Sequence, residues 1–92
     1  MPEIQRLGDA NNSESKAKII GGCAGTVFAG NKPVSVNGAS VEKHDKGDHQ
    51  TSKTANGSSN VFAENKPVNF TGNADTCKHL RTGGLATVRV NG

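Results

Sequence analysis

The chain has no tryptophan, no tyrosine and only three phenylalanines among its 92 residues. That excludes a broad aromatic core. With 32% hydrophobic residues, a chain of this size buries a smaller share of its surface than a longer one, so a single domain spanning residues 1-92 is expected. Also missing is any apolar run approaching the roughly 18 residues that a membrane-spanning helix needs. The opening Met1-Pro2-Glu3-Ile4-Gln5 lacks the basic and apolar segments of a signal peptide. Synthesis as a soluble chain in the cytoplasm is therefore expected. The net charge of +3 is modest and the basic residues are scattered along the chain without interleaved aromatics, so no nucleic-acid partner is expected. A core this thin calls for a staple, whether metal, disulfide or partner.

Glycine is abundant instead, with 12 residues alongside many Asn, Ser and Thr. Such a composition suits either a disordered linker or short strands joined by tight turns. An internal repeat decides for strands. Val27-Phe28-Ala29-Gly30-Asn31-Lys32-Pro33-Val34 returns thirty-four residues later as Val61-Phe62-Ala63-Glu64-Asn65-Lys66-Pro67-Val68, identical at seven of eight positions. A disordered tract has no reason to keep this register, whereas paired strands do. Each copy reads as a Val-Phe strand, an Asn-Lys-Pro turn, a second short strand and a glycine turn.

Val34-Ser35-Val36 and Val68-Asn69-Phe70 alternate apolar and polar residues, so one face of each is buried. Phe28 and Phe62 fall at one equivalent position and are expected to stack about a common internal axis. Pro33 and Pro67 lack an N–H, which places both Asn-Lys-Pro turns at a sheet edge or outside the sheet. Aligning Gly8, Gly38 and Gly72 gives three copies of the same event: strand, glycine turn, then a loop of variable length. The loops return at Thr26-Val27-Phe28, Asn60-Val61-Phe62 and Thr87-Val88-Arg89. The last return strand has no Asn-Lys-Pro successor, and the N-terminal Ile4-Gln5-Arg6-Leu7 can supply its partner. Three similar sectors closed about an axis follow.

The loops differ in chemistry. Asn11 to Lys18 is polar and reads as solvated. The second loop carries His44 and His49, and the third carries Cys77 and His79. Shifting the third loop back by the repeat places Cys77 on Lys43 and His79 on Asp45, so the repeat brings these side chains to one end. Three imidazoles and a thiolate suit a tetrahedral Zn(II) site, with iron a second possibility. Four protein ligands make such a site structural rather than catalytic. The spacings alone match no common finger pattern, and solvated histidines remain the competing reading. Asp45 and Asp48 read as turn acids or as acceptors that orient the imidazoles. Cys23 falls on Gly57 in the repeat and reads as a small buried thiol; a ligand role or a Cys23–Cys77 disulfide is the alternative.

Arg6-Leu7-Gly8-Asp9, Gly25-Thr26-Val27-Phe28-Ala29-Gly30-Asn31-Lys32-Pro33-Val34, Ser58-Ser59-Asn60-Val61-Phe62 and Thr87-Val88-Arg89-Val90-Asn91-Gly92 together resemble the PAAR-repeat family. The resemblance covers essentially the whole chain. It departs where the name-giving Pro-Ala-Ala-Arg stands here as Pro33-Val34-Ser35-Val36 and Pro67-Val68-Asn69-Phe70. The resemblance implies an all-β cone of short strands and loops with pseudo-three-fold symmetry. It also implies one structural metal, zinc or iron, held by His44, His49, Cys77 and His79.

The implied role is a non-enzymatic tip, one chain per trimeric β-helical spike, on the tail baseplate of a contractile phage virion and in transient contact with a target membrane. The opening Met1-Pro2-Glu3-Ile4-Gln5-Arg6-Leu7-Gly8-Asp9 is similar to tip proteins of T4-like phages, and a chain ending at Gly92 is expected to carry no toxin domain. A type VI secretion spike tip, or a free metal-stapled adaptor, is the alternative.

Overall fold

The computed structural model describes residues 2–44, 47 and 51–90, and for Ala86 the backbone alone. The fold is all-β. Eight short strands form: β1 (Glu3–Ile4), β2 (Ile19–Gly21), β3 (Ala24–Ala29), β4 (Lys32–Val34), β5 (Ser40–Val41), β6 (Phe62–Ala63), β7 (Lys66–Pro67) and β8 (Leu85–Arg89). They pair antiparallel as β1–β8, β2–β5, β3–β4 and β6–β7. No helix of the described residues is long and apolar enough to cross a membrane.

Three equivalent segments close into a ring. The Ser35 N–H donates to the Gln5 carbonyl at 2.9 Å, Asn69 to Ser35 at 2.9 Å, and Gln5 to Asn69 at 3.1 Å. A second triangle lies beside the first: Leu7 donates to Pro33, Asn37 to Pro67 and Thr71 to Glu3. Bridges Arg6–Val34, Val36–Val68 and Ile4–Phe70 complete it. Each of these ring hydrogen bonds runs to a neighbouring sector, so the ring segments are satisfied only when all three sectors meet.

Chemistry alternates with the strand period of two. Ile4, Val34 and Val68 join Ala29, Ala63 and Val90 in the apolar core. Gln5, Ser35 and Asn69 are each 0% exposed but polar. Ser35 Oγ donates to Asn69 Oδ1 at 2.7 Å, and Gln5 Nε2 to the Thr82 carbonyl at 2.9 Å.

Each ring segment ends in the same turn. Asp9, Ala39 and Asn73 donate back to the carbonyls of Arg6, Val36 and Phe70, and the third residue is glycine with φ of 91° at Gly8, 90° at Gly38 and 100° at Gly72. These are type II geometry, which demands positive φ at that position. Beyond the turns the loops interlock: Asn11 bridges Arg81, Ile19 pairs with Val41, and Thr54 bridges Asp75. Hairpins thus enter the ring at one end of each segment and loops leave at the other.

The expected closure of the third sector by the N-terminus is what forms, since Glu3 opposes Arg89 and Ile4 opposes Leu85. Two expectations are corrected. The hairpin turns are centred on Gly30-Asn31 (φ 55° and 69°) and Glu64-Asn65 (φ 51° and 66°), as two-residue turns with two left-handed centres require. Lys32-Pro33 and Lys66-Pro67 lie in strands. Phe28 and Phe62 do not stack inside; they are 58% and 56% exposed. In these strands Ala29 and Ala63 take the buried places, and the larger neighbours Val27-Phe28 and Val61-Phe62 face out.

Candidate metal centre

The second and third loops meet at His44, Cys77 and His79. The Asp75 N–H donates to the His79 carbonyl and the Lys78 N–H to the Asp75 carbonyl, both at 2.8 Å. This tight turn presents the Cys77 thiol and the His79 ring on one side. It is docked on the second loop, where the Thr76 N–H donates to the Lys53 carbonyl at 2.8 Å and the Lys53 N–H to Thr76 Oγ1 at 3.0 Å. His44 comes from that loop. Its Nδ1–H donates to the Glu42 carbonyl at 2.8 Å, which leaves Nε2 as the lone-pair nitrogen directed at the other two residues.

His44 Nε2 lies 3.1 Å from His79 Nδ1, and Cys77 Sγ lies 3.6 Å from each nitrogen. A tetrahedral ion with metal–nitrogen bonds of about 2.0–2.1 Å and a metal–sulfur bond of about 2.3 Å separates its ligand atoms by about 3.3 Å (N···N) and about 3.6 Å (N···S). The triangle fits. His44 and Cys77 are buried and His79 is half-buried, so the three donors converge in a place largely shielded from water. A His/Cys/His cluster able to hold a metal ion is present. The fourth residue expected from the sequence, His49, lies outside the described residues, as do Asp45 and Asp48. Cys23 is a free, half-buried thiol outside the cluster, and Cys77 is also free. Burial, then the charge of Asp9, pushes the Cys23 thiol up from its ordinary range.

Beneath the ligand turn lies an ion pair that the sequence did not announce. Arg81 Nε faces Asp75 Oδ1 at 3.1 Å with both side chains 0% exposed. Asn11 Nδ2 donates to the other carboxylate oxygen at 3.0 Å, while the guanidinium donates to the Asp9 and Ala17 carbonyls. Burial pushes the Asp75 carboxyl up and the Arg81 guanidinium down; the Asn11 hydrogen bond and the neighbouring positive charges oppose the first, and Asp75 opposes the second. Neither ion is well placed without the other. The available signal was a second alignment: Ala10-Asn11 and Ala74-Asp75 stand at the same place after their glycine turns.

No cavity opens among the described residues. No protein-family model and no curated protein matches the chain.

Proposed function

We propose that this protein is a structural tip that caps a trimeric β-helical spike, hairpin end down and loop end leading, in a contractile phage tail. The supporting observation is the exposed apolar set on the hairpin end of a closed three-sector ring. Phe28 and Phe62 stand at equivalent positions with Val27 and Val61 beside them, and exposed aromatics on a chain this poor in them call for a partner. Three sectors offer a three-fold trimer nearly equivalent contacts from a single chain. The third sector carries Arg89 at this position, which gives the cap one polar contact.

His44, Cys77 and His79 would hold one ion, with His49 as the fourth ligand that the PAAR resemblance supplies. Zn(II) suits neutral imidazole and thiolate. Such an ion would stiffen the loop end where no apolar core does so, and four protein ligands leave no position for an activated water. The role is therefore mechanical: contraction force is delivered through a small, stapled end. A secretion spike in place of a phage tail uses the same contacts.

Native mass spectrometry of the chain, alone and with a candidate trimeric β-helical spike, tests both parts. One metal per chain and one chain per trimer are expected. A chain that binds no such trimer is a free module instead. Removing the metal with a chelator, or His79→Ala, is expected to lower metal occupancy and the melting temperature together, since metal binding contributes folding free energy. Cys23→Ala is expected to leave occupancy unchanged, and equal loss in both variants would sink the ligand assignment.

A further inference from the structure

The first and third loops are built alike. The Asn11 N–H donates to the Ala17 carbonyl as Asp75 does to His79, and the Lys16 N–H donates to the Ser13 carbonyl as Lys78 does to Asp75. Lys16 and Lys78 therefore occupy one equivalent position. Both are left-handed, with φ of 53° and 75°, and both are exposed. Glycine or asparagine fills such a position at lower cost, since the left-handed region opposes a Cβ-bearing residue by about 1–2 kcal/mol.

Other exposed lysines lie on the same interlocking loops. Lys43 precedes His44 and Lys78 precedes His79, so the touching imidazoles bring these two residues to the same place. Lys53 pairs through its backbone with Thr76, and Lys18 accepts the Glu42 N–H. Glu42 Oε1 in turn accepts the Lys18 N–H at 3.3 Å. Lys16, Lys18, Lys43, Lys53 and Lys78 stand against Glu14 and Glu42 among the described exposed residues of these loops. Leu80, in the isolated bridge that follows the ligand turn, is 43% exposed.

We infer that this cationic loop end binds the phosphate headgroups of an anionic lipid surface. Lysines are strongly hydrated point charges that suit a field of phosphates rather than one bidentate partner, and an exposed leucine among them suits the edge of a bilayer. Duplex or single-stranded nucleic acid is the poorer fit: the chain has no Trp or Tyr, Phe28 and Phe62 belong to the hairpin end and Phe70 packs against the core, so no phenylalanine stands with the lysines as a stacking platform. The inference rests on the tip reading only in naming what the leading end meets.

The test is flotation of the isolated chain with vesicles, at about 50 mM salt where charge is weakly screened. Binding is expected to vesicles containing about one-third phosphatidylglycerol in phosphatidylcholine and not to phosphatidylcholine alone. Lys16→Asn with Lys78→Asn is expected to weaken it about 30-fold, from about five-fold per lysine at an anionic surface. Asparagine tolerates the left-handed backbone, so the melting temperature should hold. Lys43→Gln with Lys53→Gln is a second pair in ordinary backbone and should weaken binding similarly. Lys32→Gln with Lys66→Gln, on the hairpin end, should not.

Equal binding to neutral vesicles would overturn the inference, as would equal loss from the hairpin pair or tighter binding to a DNA duplex than to the vesicles. No spike is present in this measurement, so its failure leaves the capping reading standing, and failure to cap leaves vesicle binding standing.

Discussion

Single residues hold this fold at positions where backbone geometry leaves little choice. Gly8, Gly38 and Gly72 share a φ near 90–100°, and a Cβ added at Gly38 or Gly72 would meet nothing within 4 Å. Replacing either by alanine is therefore expected to cost backbone strain alone, about 1–2 kcal/mol, with similar values at both sites by urea denaturation. A much larger cost at one would mean that the sectors are not equivalent. Glu64 occupies a left-handed position where the first repeat has Gly30, and its carboxylate accepts both the Thr26 N–H and the Thr26 hydroxyl.

The side-chain bond to Thr26, then the backbone bond, holds the Glu64 carboxyl below its ordinary 4.5. A lowered folded-state value means that the ionised clasp stabilises fully above the unfolded value and is lost as pH falls through the folded one. The stability difference between the parent chain and Glu64→Gln should therefore be flat at neutral pH and shrink below 4.5. A difference that grows on acidification would refute the clasp.

Between elements, the loops are joined by polar groups where a larger protein would use apolar packing. The Asp75–Arg81 pair, with Asn11 on its second oxygen and two carbonyls on the guanidinium, connects the ligand turn to the first loop. Removing one member strands the other as a buried charge, typically at about 3–5 kcal/mol. Arg81→Met should therefore destabilise strongly in chemical denaturation, while Asp75→Asn with Arg81→Met should recover part of the loss. If the double variant is as unstable as the sum of the singles, the two residues act separately.

At the scale of the whole molecule, the two ends have opposite surfaces: apolar hairpins at one, lysine-rich loops about a candidate metal centre at the other. Phe28 and Phe62 are more than half exposed, so Phe28→Asp with Phe62→Asp should change the stability of the free chain by only about 0.5 kcal/mol per site. The same change should weaken spike binding by more than about 100-fold, because each buried phenylalanine contributes about 1.5–3 kcal/mol. Intact capping by this variant, read by native mass spectrometry, would move the docking surface elsewhere.

The repeat by itself determined the three sectors, the glycine turns, the partnership of the N-terminal strand with the last one, and the gathering of His44, Cys77 and His79. Each follows from local rules of strand period and turn chemistry applied at a fixed register. Tertiary structure decided what depends on which sector lies beside which. It turned Phe28 and Phe62 outward because Ala29 and Ala63 took the inner places, and it buried Arg81 because Asp75 and two carbonyls from the first loop surround it. It also drew lysines scattered along the sequence onto one end, since loop tips far apart in the chain meet only when the ring closes.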